Sequence, residues 1–124
     1  MTAEEALVFA RKHVDTWNTH DLAAIMALYS QSVVLESPLA GAIGGGPIVR
    51  GQSDVRAYFE RGLQKYPELQ FELVETFWCH SSIALLFYGA GRKLVTEVLF
   101  IDSESKIERV FAHYAVTATT ATAK

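Results

Sequence analysis

The sequence holds one cysteine, Cys79, in 124 residues. That excludes an internal disulfide and a multi-cysteine metal site, and it fits a reducing compartment. No apolar run approaches the roughly 18 residues of a membrane-spanning helix. No charge of one sign is concentrated: 11 Lys and Arg are scattered among 14 Asp and Glu, for a net charge of −3. A nucleic-acid or anionic-membrane surface would gather its positive charge on one face, so neither partner is expected. The start, MTAEEALVFARKHVDTW, lacks a basic segment followed by the roughly 7–15 apolar residues of a signal peptide. A cytoplasmic protein is expected. His13, His20, His80 and His113 show no H-x-x-x-H or H-x-E pattern, so neither a metal nor a cofactor is expected.

What is present is an ordinary globular composition, half hydrophobic and one fifth charged. The length suits one domain with a real core, so a single domain over residues 1–124 is expected. Residues 118–124 offer no large side chain to bury and read as a frayed tail. Ala6, Ala10, Val14 and Trp17 recur at helical spacing, which predicts a helix from about residue 3 to 18. Thr2 and Glu5 have the spacing of a capping box. Asp21 reads as the N-cap of a second helix through about Tyr29. SVVLES predicts a short strand. Ser53 reads as the cap of a third helix that carries Val55, Tyr58, Phe59 and Leu63 and ends near Tyr66-Pro67.

From Glu68 onward the period changes. LQFELVETFWCH, IALLFYG, KLVTEVLFID and KIERVFAHYAVT predict four strands joined by short turns, hence antiparallel neighbours. Helices first and a meander of strands after them predict an α+β fold, a curved antiparallel sheet with helices on one face. The middle strands are apolar on both faces: Ile83, Leu85 and Phe87 on one, Ala84, Leu86 and Tyr88 on the other. The face that the helices leave uncovered is expected to pair with a second copy, as a homodimer.

The stretches DLAAIMALYSQSVVLESP, VRGQSDVRAYFERG and KIERVFAHY, in this order and spacing, resemble the nuclear transport factor 2-like superfamily in its SnoaL-like and ketosteroid-isomerase-like branch. The resemblance covers about residues 3–117. It implies a cone, with the sheet wrapped around the N-terminal helices and an apolar pocket open at one end. It is weak on activity, because the superfamily includes isomerases, dehydratases, cyclases, epoxide hydrolases and non-catalytic binding domains.

Four residues are the candidates for chemistry. In proteins similar to ketosteroid isomerase an Asp directly before Pro38 would be the base; here Ser37 stands there, and it cannot take that proton without a base of its own. Adjacent Glu36 is turned to the opposite face by strand alternation. Glu97 lies mid-strand with Val95, Leu99 and Ile101 on its own face. A lone acid there must be paired, protonated or facing a cavity. The resemblance implies for it the role of a second acid that donates to the substrate oxygen; the other readings are a structural bond to Tyr, His or Arg, or a salt bridge at the dimer face. His13, on the first helix, resembles in position a Tyr that donates to that same oxygen, and is otherwise a half-buried histidine. Tyr114 faces the pocket if Glu97 does, which sends His113 to the outer face. Trp17, Tyr29, Leu35, Tyr58, Phe59, Trp78, Phe87 and Leu99 are the expected lining. The Gly-rich loop from Ser37 to Arg50 reads as the rim of the pocket. It has neither the Lys nor the spacing of a phosphate cradle, and Pro47 removes one N–H.

Two functions follow. One is a small cofactor-independent enzyme that acts on a hydrophobic molecule by general acid–base catalysis, as an isomerase, dehydratase, cyclase or epoxide hydrolase. The other is a non-catalytic small-molecule-binding or dimerisation module of the same fold.

Overall fold

The computed structural model describes residues 1–43 and 46–116. The tail predicted for residues 118–124 lies outside them. The elements run α1 (Ala3–Asn18), α2 (Leu22–Met26), β1 (Tyr29–Glu36), α3 (Ala40–Ile43), β2 (Ile48–Arg50), α4 (Gly51–Lys65), β3 (Glu72–Trp78), β4 (Ser82–Tyr88), a single 3₁₀ turn (Ala90–Arg92), β5 (Leu94–Ile101) and β6 (Ile107–Tyr114). Six strands form one curved, unclosed sheet in the order β2-β1-β6-β5-β4-β3. All pairs are antiparallel except β1 with β6, which is parallel. The fold is α+β, with the helices on the inner face.

Local chemistry explains the helix starts. Thr2 and Glu5 exchange hydrogen bonds with each other's backbone N–H, at 2.8 and 3.1 Å, and so satisfy two orphan donors of α1. Asp21 accepts from the Ala24 N–H and opens α2. Ser53 does not cap α4, contrary to expectation. The chain turns at Gly51, whose φ of +83° suits a residue without Cβ. The Gln52 side-chain amide then reaches the carbonyls of Met26, Tyr29 and Ser30 and pins the helix start three residues early. The Gly-rich stretch is not all loop either. It holds α3 and the short strand β2, which folds back on β1 through Leu35↔Val49 and Glu36↔Ile48.

Inner-face side chains make the core. Ile83, Leu85 and Leu99 from the sheet are at most 1 % exposed and meet Ala6, Ala10, Ile25 and Val55 from the helices. Such packed apolar area is the main stabilising term, at about 25 cal/mol per Å² buried. One register slip would turn this set outward. Among the described residues no helix is long and apolar enough to cross a membrane.

Candidate functional site

The strand registers put Val95, Glu97 and Leu99 of β5 on the inner face, opposite Tyr114, Ala112 and Val110 of β6. The helices fill the base of the cone but leave a cavity of about 100 Å³ towards the end of the sheet that holds Gly89 and Ala90. Glu97 lines it. So do Ser37, Tyr58 and Tyr114, and the apolar wall includes Trp17, Leu35, Phe59 and Phe87. The volume is small beside the roughly 300–1,000 Å³ of ordinary ligand pockets. A small ring, or the head of a larger molecule projecting from the mouth, fits it.

Small neighbours explain why Glu97 can sit here: directly opposite it on β6 is Ala112, whose methyl leaves room above the carboxylate. The side chain is 18 % exposed, and its Oε1 lies 3.7 Å from Nε2 of His13. That is beyond a hydrogen bond but well within ion-pair range. His13 is 2 % exposed, and among the described residues neither of its ring nitrogens has a hydrogen-bond partner. Its only aromatic contact there is the edge of Tyr29, with ring centroids 6.3 Å apart. A buried imidazole with two unmet nitrogens is an energetic burden.

The phenols around Glu97 feel its charge. Burial first, and the Glu97 carboxylate second, push the Tyr29 hydroxyl well above its ordinary value; the Trp17 indole N–H, donating to it at 3.1 Å, acts the other way. Burial likewise raises Tyr58 and Tyr114, Glu97 adds to both, and the Ser37 hydroxyl opposes the rise at both. All three phenols therefore stay protonated at neutral pH and serve as O–H groups.

Not all expected lining residues are in the wall. Trp78 is a correction: it lies at the far end of the edge strand β3, no helix covers it, and it is 54 % exposed. Tyr29 and Leu99 are buried core side chains behind the cavity rather than in its wall. Conversely, Tyr66, Leu69 and Phe71 line the cavity and were not expected. They follow the end of α4, where no periodicity marks a face. His113 is on the outer face, with its ring Nδ1 3.2 Å from the Thr96 carbonyl. Glu36 is exposed. His80 lies in the β3–β4 turn, beside a broad hollow of about 720 Å³ at the opposite end of the cone. That hollow is larger, but two of the three acids in its wall already have backbone or capping partners: Glu5 bonds Thr2, and Asp102 accepts from the Glu104 and Lys106 N–H groups. Among the described residues, no group of three or more His, Cys, Asp and Glu could hold a metal ion.

Comparison with known proteins agrees with this architecture. A family model described as the SnoaL-like domain matches residues 10–124. A SnoaL-like protein of unknown function from Burkholderia thailandensis is 33 % identical; the match covers 94 % of this chain and 99 % of that one, with a TM-score of 0.87. A proposed isomerase of the SnoaL-like family from Agrobacterium tumefaciens superposes with a TM-score of 0.73 at 18 % identity, over 91 % of this chain and 99 % of that one. AclR, a proposed hydroxylase from Streptomyces galilaeus, gives 0.71 at 18 % identity, over 98 % and 96 %. No curated protein matches the chain. The span of the family match and the identity to the Burkholderia protein make the chain a member of the SnoaL-like domain family.

Proposed function

We propose that this SnoaL-like protein is a small cofactor-independent enzyme that moves a proton on a mostly apolar, uncharged small molecule. The observation that carries the reading is the Glu97–His13 pair. Glu97 meets the cavity, and His13, shut away behind it, has no other polar partner among the described residues. A carboxylate that touches substrate can take and return a proton; an imidazole 3.7 Å behind it can steady the charge or accept the proton in turn. Catalytic hydrogen bonds are often long before substrate binds, so the gap is no obstacle. Isomerisation, dehydration, cyclisation and epoxide opening all use such a group. Ser37 and Tyr114 assist by bonding the substrate.

A second reading is a non-catalytic binding module. It is favoured by the small cavity and by a hydroxyl, not an acid, at the residue before Pro38. One experiment separates the two. Terpenoids, steroids and aromatic polyketides are screened by thermal shift, and every binder is then incubated with wild type and Glu97→Gln and followed by mass spectrometry. The enzyme reading expects product with wild type and a loss of about 10²–10⁴-fold with Glu97→Gln. Binders that raise the melting temperature of both proteins and are never converted would establish the module instead.

A further inference from the structure

At about 100 Å³ the cavity beside Glu97 holds a small ring and no more. A second hollow, of about 460 Å³, opens next to it and shares Tyr66, Leu69 and Gly89 with it. The end of α4 and the segment after it form one bank, with Lys65, Tyr66, Glu68 and Gln70; the 3₁₀ turn forms the other, with Gly91 and Arg92. Gly89 marks the passage between the two hollows. A Cβ there would stand 3.2 Å from Cγ2 of Val95 and 3.4 Å from Cε2 of Phe87, both in the cavity wall. This groove is polar, unlike the cavity. The Arg92 guanidinium is held in place: it donates to the Glu72 carboxylate at 3.1 Å and lies 4.7 Å from the centre of the Tyr88 ring. Its fork has five N–H donors, so most remain for a ligand. Arg92 also keeps a left-handed φ of +59°, a strained conformation for a residue with a Cβ. The Gln70 amide nitrogen donates to the Asn18 carbonyl at 3.3 Å, which leaves Oε1 to accept. Lys65 donates from over the Tyr66 ring, 5.6 Å from its centre, and Glu68 accepts. The charges balance, Lys65 and Arg92 against Glu68 and the Glu72 that bonds Arg92. Neither an anion nor a cation finds a net opposite charge there. A row of hydroxyls, each both donor and acceptor, matches both kinds of group.

We propose that this groove binds the sugar of an uncharged glycoside whose apolar head fills the cavity. The inference rests on the acid–base reading for the head and adds a second site, with a substrate class, for the tail. The glycosidic oxygen passes Gly89, where the missing side chain leaves room. No bond to the sugar is made or broken. The sugar contributes binding and orients the head, as remote parts of a substrate do.

The test is isothermal titration with three probes that share one small ring: anisole, phenyl β-D-glucoside and phenyl phosphate. The glucoside should bind wild type at least about tenfold more tightly than anisole, the worth of one hydrogen bond to a charged group. Phenyl phosphate should show no such gain. Arg92→Gly removes the side chain at a φ that glycine adopts freely. Arg92→Gly and Glu68→Ala should each weaken glucoside binding by about tenfold and leave anisole binding unchanged. Both positions are exposed, and circular dichroism confirms that each variant is folded. A glucoside that binds no tighter than anisole, or a gain that survives both substitutions, overturns the sugar site and leaves the acid–base reading of the cavity standing. Phenyl phosphate binding more tightly than the glucoside overturns the uncharged tail. Binding of none of the three removes the cavity as the place for the head, and this inference and the acid–base reading fall together.

Discussion

Nε2 of His13 lies 3.7 Å from Oε1 of Glu97, and neither nitrogen of that buried ring has a hydrogen bond among the described residues. The fold thus keeps a polar ring in its core without satisfying it. A group that only served stability would be apolar here, because an unmet buried nitrogen costs about 1–3 kcal/mol. His13→Leu, which fills similar space, is expected to stabilise the protein by about 1–2 kcal/mol, on the order of 5 °C in melting temperature. The same variant should lose turnover. Thermal unfolding and product formation measured side by side check this; a destabilised His13→Leu would mean that the imidazole is structurally satisfied in solution.

The phenols give a pH dependence of definite sign. Tyr29, Tyr58 and Tyr114 all titrate above their ordinary value of about 10 in the folded chain. Unfolded tyrosines lose their protons first, so the folded state binds more protons above that pH and stability falls as pH rises. The contribution is whole below about pH 10 and lost progressively above it. Urea unfolding at a series of alkaline pH values should show this fall. Tyr114→Phe, which cannot ionise, should fall less steeply over the same window. Parallel slopes for the two proteins would remove Tyr114 as a cause.

Much of this site is written in local patterns, and the rest depends on distant contacts. The capping pairs Thr2–Glu5 and Asp21–Ala24 are encoded within four residues, so the starts of α1 and α2 can be read directly. Strand alternation ties Tyr114 to the face of Glu97 and His113 to the other, which the register of β5 with β6 bears out. Three features are not local. β2 has only three residues and exists because β1 lies beside it. The start of α4 is set by Gln52 reaching back to carbonyls more than 20 residues earlier. Trp78 has the alternation of an inward residue, but its strand outruns the helices that would cover it. The meeting of Ser37, Tyr58 and Tyr114 in one cavity wall is likewise set by contacts between distant segments.

The outer sheet face is the place where a second copy is proposed to dock. Ala84, Val98 and Phe111 form a continuous row across β4, β5 and β6, and Phe77 and Phe100 extend it. Phe77 is 54 % exposed, and the others are only half-covered. A contiguous apolar face of this kind is uncommon on a monomer. Light scattering after gel filtration should report twice the 13.7 kDa chain mass for wild type. Val98→Glu puts a charge at the centre of the row and should give the single-chain mass with the fold intact by circular dichroism. A wild-type protein that runs as one chain at high concentration would remove the dimer.

Asn18 controls the mouth of the cavity from the end of α1. Its Nδ2 donates to the Phe71 carbonyl at 3.0 Å, and its Oδ1 accepts from the Phe71 N–H at 2.7 Å. Two residues on, the Nε2–H of His20 donates to the Leu69 carbonyl at 2.6 Å. The segment so held has no strand or helix bonds of its own, yet it carries Leu69 and Phe71 into the cavity wall. Asn18→Ala leaves the Phe71 backbone without either partner, which should lower stability by about 1–3 kcal/mol. Its functional effect should be on binding, because Asn18 touches neither Glu97 nor the hydroxyl group of Ser37, Tyr58 or Tyr114. With any substrate that wild type turns over, Asn18→Ala is expected to raise KM several-fold and leave kcat nearly unchanged. Equal losses in kcat and kcat/KM would instead mean that the wall segment aligns the reacting groups.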